Sequence, residues 1–209
     1  MKTYWMRSAA LAAAMGFVVA TAMTSAAADF HEVSIVNSSS APGAFNPQRI
    51  SIPQGDYVSW TNNSSATHTS TGNSPLSLWN TGSITSEGTV DVLFKAAGGY
   101  PYHCDIHPSM TGLVRVPIER TPSSGLVGTQ FTIKTASEAP TSPFVYDIQK
   151  RRGKNGTWKA WRTLSASNTT TFKPGSAGNH FFRGRLRNTN KDPDASSSWS
   201  PVRSVSVTS

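Results

Sequence analysis

Apolar and polar residues alternate along short segments of this chain, and turn-forming residues separate the segments. The segments are rich in β-branched and aromatic residues, and Gly, Pro and Asn clusters lie between them. They lie at residues 33–36, 57–60, 89–94, 113–116, 131–134, 144–148 and 181–187. Beyond the N-terminal segment, no window keeps a helical period for three turns. The pattern therefore predicts an all-β protein with one sandwich in each half.

The two halves of the chain differ in charge. The 209 residues include 19 Lys and Arg against 11 Asp and Glu, a net charge of +8. Residues 29–121 carry −3, whereas residues 122–209 carry +9. Pro, Gly and Ser residues near position 122 are typical of a linker. We therefore expect four parts: a signal peptide at 1–28, a first domain at 29–119, a linker at 120–123 and a basic second domain at 124–209.

The N-terminal segment has the features of an export signal. Lys2 and Arg7 precede an apolar run at residues 9–22, and small residues at 25–28 offer a cleavage site. The run is shorter than the roughly 20 residues that span a bilayer. We therefore predict a secreted or extracytoplasmic protein, in the periplasm or cell envelope, without a transmembrane segment after cleavage.

The single cysteine lies in a segment rich in metal-binding side chains. One Cys excludes an intramolecular disulfide and an all-cysteine zinc site. Cys104, His107 and Met110 form a Cys-x2-His-x2-Met segment, and His68 follows a polar loop upstream. Two imidazoles, a thiolate and a weak thioether suit copper that cycles between Cu(I) and Cu(II), whereas structural zinc takes four Cys, His or carboxylate ligands. An exported protein also keeps a free thiol only where it is buried or metal-held. The segment therefore predicts a copper site.

Residues 29–119 resemble the cupredoxins, the blue-copper family that includes plastocyanin and amicyanin. The resemblance is carried by residues 55–62, 68–69, 88–94 and 102–116. It implies a Greek-key sandwich with one type 1 copper per chain, whose ligands would be His68, Cys104, His107 and Met110. Many members place Asn directly after the first His ligand, where it ties the two ligand loops together. Thr69 stands there in this chain, and its hydroxyl is expected to make a weaker tie.

The resemblance also implies a function. A cupredoxin passes single electrons, and His107 would be the exit toward a redox protein partner. No substrate need reach the metal, so we do not expect an enzyme. The alternative from another class is copper capture, storage or delivery by the same ligands. His103 precedes the Cys and is not expected to be a ligand, because strand alternation points it away from Cys104.

A second copper site is a further hypothesis. Cleavage after Ala28 would make Asp29, Phe30 and His31 the first three residues of the mature chain. Their amine, two amide nitrogens and imidazole would form the square-planar nitrogen set that Cu(II) prefers. The alternative is an exposed His ahead of the first strand, and cleavage one residue earlier would remove the motif.

Residues 124–209 resemble an immunoglobulin or fibronectin type III-like sandwich. The resemblance rests on residues 146–151, Trp158, Trp161, 178–187 and 199–201. Arg183, Arg185 and Arg187 are expected on one strand face, where they bind anions or, as we favour, stack on Trp161 or Trp199. The charge of this half still favours acidic neighbours, such as envelope polymers or lipid headgroups. Nucleic acid is not an expected partner of an exported chain.

Overall fold

The protein is described here by a computed structural model that covers residues 27–38, 42–191 and 195–209. The predicted signal peptide lies outside these residues except for its last two positions. The regular elements of the described residues are all strands, so the all-β prediction is confirmed. None of the described residues forms a helix with the length and apolar character needed to cross a membrane.

Eight strands build the first sandwich. They are β1 (Phe30–Val36), β2 (Ala44–Asn46), β3 (Arg49–Ser51), β4 (Asp56–Asn62), β5 (Thr71–Gly72), β6 (Thr89–Phe94), β7 (Gly98–His103) and β8 (Thr111–Val116). One sheet has the order β2-β1-β4-β6 and the other the order β3-β8-β7-β5. Each sheet contains one parallel pair, β1 with β4 and β3 with β8.

The core of the first sandwich follows from the period-2 pattern. Every second residue of β4 is buried, which places Val58 and Trp60 between the sheets. The ring of Trp60 packs edge-on against Tyr102 of the facing sheet, with ring centroids 5.3 Å apart. Both side chains are fully buried. This aromatic contact fixes β7 against β4, and β7 leads directly into Cys104.

The remaining eight strands build the second sandwich. They are β9 (Glu119–Thr121), β10 (Ser124–Leu126), β11 (Phe131–Lys134), β12 (Phe144–Arg152), β13 (Lys159–Ser165), β14 (Thr169–Phe172), β15 (Gly178–Asn188) and β16 (Arg203–Thr208). Its sheets have the orders β14-β11-β9 and β10-β16-β15-β12-β13. Phe131, Ile133 and Phe182 are fully buried between them.

The two sandwiches pack directly against each other. The predicted linker 120–123 overlaps β9, which pairs with β11 of the second sandwich. Between the sandwiches, the amide of Gly99 donates to the carbonyl of Ser198 at 2.9 Å, and the reverse bond measures 3.0 Å. A Cβ on Gly184 would lie 3.6 Å from the Cβ of Ala97, which precedes β7, and 3.0 Å from Ile118 in the connection between the sandwiches, so glycine permits this close approach. These backbone hydrogen bonds therefore fix the position of one sandwich relative to the other.

Candidate metal centre

The loop between β7 and β8 turns three side chains with metal-binding atoms toward one point. The amide of Cys104 donates to the carbonyl of Met110 at 3.1 Å, and the amide of Met110 donates to the carbonyl of His107 at 2.9 Å. These two bonds close the loop into a tight turn. Cys104 and Met110 are buried, and His107 is half-buried.

His68 reaches the same point from the other ligand loop. Its amide donates to the carbonyl of Ile84 at 3.1 Å, and its carbonyl accepts from the amide of Ile84 at 2.7 Å. The buried side chain of Asn62 braces this loop, because its Nδ2 donates to the carbonyls of Ala66 at 2.7 Å and Ile84 at 2.9 Å. His68 is fully buried, so its ring has little freedom to leave the cluster.

The metal-binding atoms of these loops converge. Cys104 Sγ lies 3.8 Å from His68 Nδ1 and 3.7 Å from His107 Nδ1, and the two Nδ1 atoms lie 3.0 Å apart. The Met110 thioether lies close to the His68 ring, and both face Gly43. A Cβ placed on Gly43 would be 3.0 Å from Met110 Sδ and 3.1 Å from His68 Nε2. The structure thus brings all four predicted ligands together.

The surroundings of the cluster favour metal binding. Burial first, and then the charge of His107, lower the pKa of His68, so its imidazole stays neutral with a free lone pair. The amide of Thr69 donates to Cys104 Sγ at 3.3 Å, so a main-chain bond from the His68 loop holds the sulfur in place. Two nitrogens, one thiolate and one thioether are a donor set that copper accepts in both oxidation states.

Thr69 ties the two ligand loops together. Its Oγ1 accepts a hydrogen bond of 2.8 Å from the amide of Asp105, the residue after Cys104. The Asp105 carboxylate accepts from Thr71 Oγ1 at 2.7 Å and from Asn80 Nδ2 at 3.1 Å. The hydrogen bond from Thr71 is the main reason that the pKa of Asp105 lies below its ordinary value. A hydroxyl therefore fills the bridging place that the family resemblance assigns to Asn.

His103 lies outside the cluster, as strand alternation predicts. Its Nδ1 lies 2.6 Å from Asn73 Oδ1, and its Nε2 lies 3.1 Å from an Asp105 oxygen. Both ring nitrogens are therefore engaged on the face opposite Cys104. Among the described residues, the potential metal-binding group holds His68 and His107 but not His103.

The structure does not arrange the N-terminal triplet as a square-planar set. Phe30 begins β1, which pairs with β4, and the carbonyl of Asp29 accepts from the amide of Tyr57 at 2.9 Å. His31 Nε2 lies 2.7 Å from an oxygen of Asp56. Because a strand is extended, square-planar binding requires residues 29–31 to detach from β4.

The side chains of the predicted arginine ladder contact other residues of the second sandwich. The guanidinium of Arg183 lies 4.8 Å from the Trp199 ring centroid, and that of Arg185 lies 4.6 Å from it. Arg185 and Arg187 both donate to Asp147 Oδ2, at 2.9 and 2.7 Å. These contacts match the stacking alternative at Trp199.

Two positions near the centre were missed by sequence reasoning. Gly43 lies beside His68 and Met110, and Asn62 braces the loop that carries His68. Asn62 stood in a polar loop, where an Asn next to a strand is a common turn signal. For Gly43 no local signal existed, because its neighbours in space are 25 and 67 residues away along the chain.

Known proteins resemble this chain only in part. No protein-family model matches the sequence, and no curated protein matches it. Among solved structures, a purple cupredoxin from Nitrosopumilus maritimus is 28% identical, with 41% of this chain and 97% of that chain covered and a TM-score of 0.38. A reduced Cu(I) form of an amicyanin variant is 24% identical, with 46% and 87% covered and a TM-score of 0.37. A copper-containing nitrite reductase from Thermus scotoductus is 23% identical, with 41% and 21% covered and a TM-score of 0.35.

Proposed function

We propose that the protein is an exported type 1 copper protein that carries single electrons. The observation that carries this proposal is the convergence of His68 Nδ1, His107 Nδ1 and Cys104 Sγ within 4.8 Å of one another. Copper bound there would supply a one-electron couple. The proposal assigns the protein no catalytic role and one copper per chain.

The chain's own residues would keep the ligand geometry constant during electron transfer. His68 is held by main-chain bonds to Ile84, and the Cys104 loop is closed by its bond to Met110. Thr69 adds a donor to the thiolate and a tie between the loops. Because small movements of the ligands mean a small reorganisation energy, a braced site favours fast electron exchange.

The electron would leave at the His107 edge. His107 is half-buried, unlike the other three proposed ligands, so its ring is the part of the cluster nearest to solvent. Ile106 is 48% exposed and Pro108 is exposed beside it. An exposed apolar rim around a ring edge suits transient contact with a redox protein. The basic second sandwich would serve as a separate docking module for an anionic partner.

Copper loading of the mature protein tests the proposal. We expect an intense visible absorption from thiolate-to-copper charge transfer and loss of this absorption in Cys104→Ser. Ser109→Ala, in the same loop at an exposed position, is the matched control and should keep the absorption. Absorption that persists in Cys104→Ser would refute the ligand assignment.

A second measurement separates electron transfer from copper delivery. A carrier should exchange electrons reversibly by voltammetry and keep its metal when a Cu(I) chelator is added. A delivery protein should instead pass its copper to the chelator rapidly. Rapid copper loss with sluggish electron exchange would replace the proposal with the delivery alternative.

A further inference from the structure

The second sandwich has a basic cleft at its end away from the first sandwich. Residues of β12, β13, β14 and β15 and the segment after β14 enclose about 600 Å³. Its cationic lining residues are Lys150, Arg151, Arg152, Lys159 and Lys173, of which Arg151 lies over the Trp158 ring, 4.5 Å from its centroid. Within the described part of the chain, no carboxylate lines the cleft. The cleft therefore concentrates positive potential at one place on the surface.

Two of these cations differ from the others because they lack a partner within the described part of the chain. Lys159 and Lys173 are exposed, and neither has an ion pair or hydrogen bond with the described residues. Lys150 instead lies over two rings, with its Nζ 5.2 Å from the Trp161 centroid, and Arg152 donates to the carbonyl of Ala177 at 2.7 Å. Lys159 and Lys173 are thus the groups available to an external anion.

An exposed apolar tip lies beside the cleft. Leu126 is 60% exposed and Val127 is 41% exposed. The next residue, Gly128, donates its amide to the carbonyl of Pro174 at 3.0 Å, and Pro174 lines the cleft. A Cβ on Gly128 would lie 4.0 Å from Lys173 Cε, so the tip and this lysine are neighbours. Exposed apolar side chains beside cations are the combination that contact with a membrane surface uses.

We propose that the cleft and this tip dock the protein on a bilayer surface that contains anionic phospholipids. Lys159 and Lys173 would face the lipid phosphates, and Leu126 and Val127 would enter the boundary between headgroups and acyl chains. A soluble polyanion would use the cations but leave the apolar tip in water. The tip is therefore the feature that favours a bilayer over an acidic polymer.

The docking surface and the metal centre lie at strand ends that point away from the contact between the sandwiches. Along β15, Gly184 lies at that contact, and His180 in the cleft lies about 13 Å further along the strand. Along β7, Gly99 lies at the contact, and His103 next to Cys104 lies about 13 Å away. Residues 196–198 pair antiparallel with both strands, so β7 and β15 run in the same direction and these two ends lie on opposite sides of the contact. Docking at the cleft therefore leaves the His107 rim uncovered. The inference deepens the docking role proposed for the second sandwich and does not depend on copper.

Co-sedimentation of the mature, copper-free protein with vesicles tests this proposal. Vesicles of mixed phosphatidylglycerol and phosphatidylcholine should bind the protein, and vesicles of phosphatidylcholine alone should not. Lys159→Gln with Lys173→Gln should weaken binding about 30-fold, at about 1 kcal/mol per cation. Leu126→Ser with Val127→Ser should weaken it about tenfold or more, because less apolar area is buried.

Matched variants control for lost charge and lost apolar area. Arg49→Gln with Arg115→Gln removes the same charge from exposed positions of the first sandwich. Leu164→Ser changes a leucine that is 56% exposed on β13. Both controls should bind as the unchanged protein does, and circular dichroism should show that every variant is folded.

A soluble probe, inorganic tripolyphosphate, distinguishes the possible failures. If tripolyphosphate binds but vesicles do not, or if the serine pair at the tip leaves vesicle binding unchanged, the bilayer inference is overturned while an anionic docking role stands. If neither probe binds, the docking role of the second sandwich is overturned as well. Neither outcome bears on the copper proposal, which the absorption of the loaded protein tests separately.

Discussion

The substitution Gly43→Ala adds one methyl group at the back of the proposed metal centre. The backbone of Gly43 lies outside the left-handed region, so alanine meets no backbone strain there. Its Cβ would lie 2.7 Å from His68 Cε1 and 3.0 Å from Met110 Sδ. Ordinary carbon contacts begin near 3.4 Å, so the His68 ring would have to move by about 0.7 Å.

The cost of this movement follows from how firmly each neighbour is held. The Met110 thioether ends a flexible side chain and yields readily. The His68 ring is fully buried on a backbone that is bonded to Ile84, so it yields with difficulty. Overpacking of this kind costs about 1–3 kcal/mol. If the His68 ring can move aside in the copper-free protein but not in the copper-bound one, the cost falls on binding, and the copper affinity drops about 5- to 150-fold. If the ring cannot move aside in either state, the same cost lowers the free energy of unfolding instead.

Two measurements on Gly43→Ala capture both forms of the cost. Chelator competition gives the copper affinity, and urea unfolding of the copper-free protein gives the stability. Gly175→Ala is the matched control, because a Cβ there has no neighbour within 4 Å and no unusual backbone angle. If neither affinity nor stability changes by more than in this control, Gly43 does not bound the ligand cluster and the reasoning fails.

Two further substitutions test the bonds that hold the centre and the second sandwich. Thr69→Ala removes the acceptor for the Asp105 amide, so urea unfolding should show that the free energy of unfolding falls by about 1 kcal/mol. Thr69→Asn should restore part of this loss. An unchanged stability of Thr69→Ala would contradict the role of Thr69 in holding the two ligand loops together. Asp147→Asn leaves Arg185 and Arg187 without their carboxylate, which should destabilise the second sandwich by about 3 kcal/mol at neutral pH. Burial raises the pKa of Asp147, but bonds from the Leu164 amide, Arg187 and Arg185 outweigh it, and the folded pKa lies below 3.8. The stability that this carboxylate contributes is therefore complete above the unfolded pKa and is lost as the pH falls through the folded pKa. Acidification should therefore lower the melting temperature of Asp147→Asn less than that of the unchanged protein. Parallel pH profiles of the two melting temperatures would refute this.

Local pattern was sufficient for seven of the sixteen described strands and for most of the centre; the other nine strands, most of them short, were not predicted. β4 and β15 alternate so regularly that their buried faces follow from a period of two, and the observed burial agrees. Cys104, His107 and Met110 lie within seven residues, so a single tight loop necessarily gathers them. His68 was assigned through donor chemistry and a family resemblance, and the structure places its Nδ1 within 4 Å of Cys104 Sγ.

Other features depend on contacts between residues far apart in sequence. Thr69 meets Asp105, and Gly43 meets His68 and Met110, only because two ligand loops close on each other. The N-terminal triplet had a suitable composition, but pairing of β1 with β4 directs His31 toward Asp56. The arginine ladder was correctly placed on one face, yet its use depended on where Trp199 and Asp147 lay.

The sequence by itself determined which side chains could bind a metal, where seven of the strands lie and which half is basic, because donor chemistry, alternation and charge are local properties. Only the tertiary structure decided that the two sandwiches pack through Gly99 and Gly184, and that Lys173 lies beside the Leu126 tip. These relations arise from close packing and backbone hydrogen bonds between distant segments. No local pattern records such pairings, since each partner is defined only when the other is in place.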